Sequence, residues 1–204
     1  MTERVITYID GFNLYFGIKS KYGRKYIWLN IYCLSKELLK PSQSLERVKY
    51  FTAMISNNPS KEKRQRTYIS ALETLPGTNL YYGKYQLNNH KCPRCGNIEH
   101  LPSEKMTDVN IATQLLSDAF SNHFDVAILI SADSDLVGPI KMVKNLFPTK
   151  KVVVAFPPNR TSNELQNTAS AYFRIGRQKL ALSQFPNSMK INNGVIIKRP
   201  TSWK

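Results

Sequence analysis

Acidic residues are scarce in this chain. Fourteen Asp and Glu stand against 29 Lys and Arg in 204 residues, a formal charge of +15 at pH 7. That imbalance disfavours a cationic partner and favours a polyanion, because each phosphate met by a Lys or Arg releases condensed counterions. Cysteine is scarce as well: Cys33, Cys92 and Cys95 are too few for a disulfide framework. Long hydrophobic runs are missing. The longest, at 126–130 and 152–156, hold five residues each, against the roughly 20 that a bilayer-spanning helix needs. No membrane partner is expected. The opening "MTERVITYID" enters a strand-like pattern without a basic n-region or a long apolar h-region, so the expected location is cytoplasmic.

What is present is the composition of a packed fold, with 42% hydrophobic and 21% charged residues. Apolar, β-branched runs at 4–9, 48–55, 79–85, 126–131 and 152–156 read as strands. Helical spacing is expected at 31–39, 61–74, 107–120, 136–146 and 162–171. In "TDVNIATQLLSDAF", Thr107 is the expected N-cap and Ile111, Ala112, Leu115 and Ala119 form the apolar stripe. Strands alternating with helices predict an α/β fold: a three-layer α/β/α sandwich around a mostly parallel five-stranded sheet. Such sheets bind ligands beyond the carboxyl ends of their strands, where strand order reverses.

Only six aspartates occur, and their places are informative. Asp10, in "YIDGFNLYFG", ends the first strand, where a lone charge is costly unless something binds it. Gly11 is expected to turn the chain into a loop that also carries Asn13. Asp133 and Asp135, in "LISADSDLVG", follow the fourth strand two residues apart, a spacing that lets both face one hard cation. Either alone is equally explained as a helix cap, an explanation that Asp10 is not expected to share. Asp108 lies in the first turn of its helix on the apolar stripe, as a dipole partner or as a site residue. Asp118 is expected on a solvated face, and Asp125 at the opposite end of the sheet. Four carboxylates at one sheet edge repel unless divalent ions hold them, and Mg²⁺ or Mn²⁺ there activates water and stabilises a phosphoryl transition state.

"YIDGFNLYFG", "EKMTDVNIATQLL" and "LISADSDLVGPI", in that order, resemble the NYN domains, a branch of the PIN-like nuclease superfamily. The resemblance covers roughly residues 3–175. It implies a PIN-like fold, a metal site of clustered aspartates and divalent-metal-dependent cleavage of RNA. By position it implies site roles for Asp10, Asn13, Asp108, Asp133 and Asp135, with Mg²⁺ or Mn²⁺ at the four aspartates. The family commonly has glycine before the first aspartate of the last motif; here Ala132 stands there.

Within an expected nuclease domain at 1–175, residues 88–103 fit neither helix nor strand period and read as an insertion. Its His90, Cys92, Cys95 and His100 form a candidate Cys₂His₂ zinc knuckle, with a thiol-containing loop or a site completed by a second chain as alternatives. Residues 176–204 carry no acid after Glu164 and read as a basic C-terminal segment. A second basic stretch, "SKEKRQRTY", is a solvated helix face or a phosphate track, with Tyr15, Phe16, Tyr81, Tyr82 or Tyr85 available to stack bases. The resulting expectation is a metal-dependent endoribonuclease acting on single-stranded or structured RNA. The alternative is a non-catalytic RNA-binding module of the same fold. A haloacid-dehalogenase-like phosphatase needs D-x-D on the first strand, and Phe12 stands in the second place.

Overall fold

Strand β1 (Glu3–Asp10) carries the alternation that organises the fold: Val5 and Ile9 point into one core, Ile6 and Tyr8 into the other. The computed structural model describes residues 2–56, 58–91, 95, 98–190 and 194–203, with the backbone alone for 85–91 and 98–104. After β1 come α1 (Gly11–Tyr22), α2 (Ile31–Glu37), β2 (Gln43–Thr52), α3 (Pro59–Leu72) and β3 (Thr78–Tyr82). An antiparallel ribbon of β4 (Lys84–Lys91) and β5 (Ile98–Lys105) precedes α4 (Thr107–Phe120). Then follow β6 (Val126–Ile130), a 3₁₀ turn at Ser134–Leu136, α5 (Val137–Leu146), β7 (Lys151–Phe156), α6 (Asn163–Thr168) and β8 (Ala171–Arg174). The chain closes with α7 (Arg177–Leu182), a hairpin of β9 (Ser188–Lys190) and β10 (Ile196–Lys198), and a 3₁₀ turn at Thr201–Trp203.

The central sheet has the order β3-β2-β1-β6-β7-β8, and its paired strands run parallel. It has six strands, not the expected five. The extra one, β8, lies on the edge and is mostly exposed, so it has no buried alternation to read, and its first residue ends the stretch expected to be helical. Both faces are covered. Leu14, Ile18, Ile31, Leu34, Leu72 and Leu180 from α1, α2, α3 and α7 pack on one face. Ile111, Leu115, Ile140, Val143 and Leu165 from α4, α5 and α6 pack on the other. Strand order reverses between β1 and β6, which are hydrogen-bonded neighbours. The carboxyl ends of these two strands therefore frame the crevice where such sheets bind ligands.

Two other expectations change. "GFNLYFGIKSKY" is a helix, not a loop, and Gly11 is its first residue. A Cβ on Gly11 would lie 2.5 Å from the Tyr50 ring and 2.7 Å from the Phe51 carbonyl, so glycine is needed for close packing against β2. Around the expected insertion, the backbone of β4 and β5 forms the two-stranded ribbon, with Asn89 opposite His100. The zinc-knuckle expectation falls on Cys92 and on the side chains of His90 and His100, which lie outside the described residues; Cys95 is exposed and carries a free thiol. The basic segment from 176 onward packs into the first core through Leu180, Phe185, Ile197 and Trp203. Among the described residues no helix is long and apolar enough to cross a membrane.

Candidate active site

Period-two alternation puts the first site residue on the α4 side of the sheet: Ile6 and Tyr8 face that core, and Asp10 is next in step. The same count along β6 puts Ser131, after Ala127 and Leu129, on that side. Asp10 and Ser131 are buried, and they meet: the Ser131 hydroxyl donates to Asp10 Oδ2 at 2.9 Å. Asp10 Oδ1 accepts from the Asn13 backbone N–H at 2.9 Å, so Asp10 is the N-cap of α1. The cap explanation set aside for Asp10 from the sequence thus applies to it. It accounts for one hydrogen bond and leaves the burial of a charge unexplained.

The β6 turn is built on the same residues. Ser131 Oγ accepts from the Asp133 N–H at 3.1 Å, and Asp133 Oδ1 accepts from the Asp135 N–H at 3.0 Å, so Asp133 caps the 3₁₀ turn. Asn13 reaches across from α1, its Oδ1 accepting from the Ala132 N–H at 3.3 Å. Asp108 arrives on α4. The N-cap of that helix is Met106, not Thr107; it adopts a left-handed φ of 75° and makes no side-chain cap bond. A non-glycine residue there carries local strain of roughly 1–2 kcal/mol.

A cavity of about 220 Å³ is lined by Asp10, Asn13, Asp108 and Asp133, with Thr107, Phe12, Phe16 and Arg160 completing the wall. Asp135 does not line it; this aspartate is exposed at the rim. Burial, followed by the charges of Asp133, Asp10 and Asp135, pushes the Asp108 carboxyl up to about 6. Asp10 is also raised, by burial first and by the Asp133 charge, against the lowering effect of its hydrogen bonds. None of Asp10, Asp108, Asp133 and Asp135 has a salt-bridge partner among the described residues. Arg160, in the loop after β7, lines the cleft with its guanidinium unpaired among those residues. Sequence reasoning passed over it and over Ser131. A basic residue just past the carboxyl end of a central parallel strand was the available signal.

Asp118 departs furthest from expectation. It is buried, not solvated: Lys49 Nζ lies 2.6 Å from Oδ2, the Tyr8 hydroxyl donates to the same oxygen at 2.6 Å, and His123 Nδ1 lies 3.1 Å from Oδ1. Burial works against its charge, yet the hydrogen bonds from Lys49, Tyr8 and His123 hold its pKa below the ordinary value. Asp125 is at the far end of the sheet as expected, paired with Arg4, whose hydrogen bond holds it at about 2.

The donor set of the cleft suits a hard divalent cation. Each Asp10 oxygen carries one hydrogen bond and keeps a lone pair, and the second Asp133 oxygen has no partner among the described residues. Among those residues no group of three or more His, Cys, Asp or Glu side chains is placed to hold a metal ion together. A site here is therefore limited to two direct carboxylates, the number with which Mg²⁺ binds when waters and substrate phosphates complete its shell.

The model of the NYN domain family matches residues 4–176. The chain is 28% identical to a Pseudomonas putida protein named 6-hydroxy-3-succinoylpyridine 3-monooxygenase HspA, in an alignment covering 98% of this chain and 75% of that protein. A solved structure of a Vibrio parahaemolyticus protein of unknown function, VPA0982, shares the fold with a TM-score of 0.55 at 19% identity, covering 86% of this chain and 94% of that one.

Proposed function

The chain belongs to the NYN domain family, and from that membership and the unpaired carboxylates of the cleft we propose that it is a divalent-metal-dependent endoribonuclease. The observation that carries this reading is the joining of buried Asp10 with Asp108 and Asp133 in one cavity where none of the three has an ion-pair partner among the described residues. In a chain of charge +15, basic residues are plentiful, so carboxylates that pair with none of them point to a cation from outside.

Asp10 and Asp133 are the residues to hold Mg²⁺ or Mn²⁺ directly, with Asp108 and, at the rim, Asp135 reached through water. A bound ion of this kind lowers the pKa of water and offsets charge on the phosphoryl oxygens. Ser131 and the first turn of α1 fix the Asp10 carboxylate, and Asn13 holds the β6 turn in register with that helix. Arg160 supplies a fork of donors for a phosphate entering the cleft. The basic surface brings the RNA strand to it.

The test is incubation of labelled RNA with purified protein and Mn²⁺ or Mg²⁺, beside an Asp10→Asn variant and an EDTA control. The nuclease reading requires cleavage by the wild type alone. RNA that is bound but never cut assigns the chain to the alternative class, a non-catalytic RNA-binding module. A further reading, after the name of the Pseudomonas relative, is a small-molecule monooxygenase. It is favoured by a separate aromatic cavity of about 210 Å³ beside α1, a size for a single ring system. Turnover of 6-hydroxy-3-succinoylpyridine with oxygen and a reductant, without RNA cleavage, selects it.

A further inference from the structure

The aromatic cavity lies on the other side of the wall that bounds the carboxylate cleft. Phe12 and Phe16, one helical turn apart on α1 with ring centroids 6.1 Å apart, line both spaces. Beyond them the cavity is closed by Tyr15, Tyr50, Tyr68 and Trp203, drawn from α1, β2, α3 and the C-terminal turn. Tyr68 and Trp203 are locked: their rings are 5.9 Å apart edge to face, and the Tyr68 hydroxyl donates to the Leu29 carbonyl at 2.8 Å. At about 210 Å³ the space is smaller than the roughly 300 Å³ at the low end of drug-sized pockets, so it admits one flat ring system and little more.

Its lining is cationic as well as aromatic. Lys61 and Arg64, from the first two turns of α3, and Lys19 of α1 all line it. Arg64 is half-buried, and its guanidinium has no ion pair or hydrogen bond among the described residues. Its five N–H donors are thus free of protein partners among the described residues and available to an anion. Aromatic faces on several sides select a planar ring, and the cations select a negative charge attached to that ring.

We propose that this cavity is a base-binding subsite: it takes the nucleobase of one RNA nucleotide beside the phosphate held in the carboxylate cleft, with Arg64 and Lys61 meeting a flanking phosphate. The inference rests on the nuclease reading for its choice of ligand. A free heteroaromatic acid shares the same chemistry, a planar ring with an anion, and the measurement separates the two sources. Trp203 lines the cavity and Trp28 packs 6.2 Å from it, so occupancy is read by tryptophan emission.

The experiment titrates the full chain in EDTA, where cleavage plays no part, with AMP, GMP, CMP and UMP, and in parallel with ribose 5-phosphate, inorganic phosphate and nicotinate. The expected result is a saturable emission change with at least one nucleotide, little response to the two phosphates lacking a base, and weaker binding of nicotinate. Tyr15→Ala and Arg64→Ala, which each remove one recognition element at the lining, are expected to weaken nucleotide binding by about tenfold, within the range for loss of a stacking or charge contact. Equal response to ribose 5-phosphate, preference for nicotinate, no response to any nucleotide, or nucleotide binding unaltered by both substitutions overturns the proposal. Nucleotide binding in a protein that fails to cut RNA removes the nuclease reading and leaves the subsite standing. RNA cleavage without nucleotide binding does the reverse.

Discussion

Asp10 and Asp118 are equally buried carboxylates on the same side of the same sheet, and the chain treats them in opposite ways. Asp118 receives an ammonium, a phenol and an imidazole nitrogen, and its pKa falls in spite of burial. Asp10 receives one hydroxyl and one backbone N–H, faces Asp133 and Asp108, and its pKa rises. A fold that gives one buried carboxylate a cation gives the other hydrogen bonds alone, with no ion pair among the described residues. The first arrangement ties α4 to β1 and β2, since Asp118, Tyr8 and Lys49 belong to those three elements. The second is the arrangement on which the proposed metal site rests.

The largest effect predicted from this contrast is on stability at the compensated site. Asp118→Asn leaves the buried Lys49 charge without its counter-charge, with the Gln114 side-chain oxygen as a neutral acceptor, and chemical denaturation should show a loss of about 3 kcal/mol, whereas replacing both partners with apolar residues of similar volume costs far less. Asp118 is a carboxylate whose pKa is lowered on folding, so its stabilisation is present above the ordinary carboxylate range and is lost as pH falls through the lowered value. Asp10→Asn should do the opposite. Asparagine caps a helix as well as aspartate does, so stability at pH 7 is kept or raised, while RNA cleavage falls by about 100-fold or more, the scale on which removal of one charge-stabilising group acts.

Ser131→Ala sharpens the comparison by leaving every carboxylate in place. It removes the donor to Asp10 and the acceptor for the Asp133 N–H. Mn²⁺ affinity is then expected to drop by about 10- to 100-fold, as for other residues that orient metal ligands. The smallest effect is at Asp108. A carboxyl raised to about 6 on folding penalises the metal-free fold little below pH 4, increasingly between 4 and 6, and fully above 6. Asp108→Asn in EDTA should therefore be more stable than wild type at pH 7.5 by on the order of 1–2 kcal/mol, discounted for its partial exposure, and the advantage should fade by pH 4. Denaturant midpoints at the two pH values check it.

Much of the sheet and the placement of Asp10, Asp108 and Asp133 near one another were legible in the sequence, because strand ends in a parallel α/β fold are places where position alone constrains function. Asp118 was not legible. Its partners Lys49 and Tyr8 lie 69 and 110 positions away, on strands whose hydrophobic pattern gives no sign that a lysine is buried among them. Helix α1 was misread because a glycine at its first position signals a turn in local chemistry, whereas here it answers a steric demand set by Tyr50 and Phe51. Arg160 escaped because a loop carries no periodicity, and β8 because an exposed edge strand carries little.

The most direct test of the difference between the two carboxylate sites is calorimetric titration of the metal-free protein with Mn²⁺ at pH 7. Saturable binding by the wild type, abolished in Asp10→Asn, is the predicted result. Absence of binding, or binding that is the same in both proteins, contradicts the assignment of the Asp10 cleft as the working site.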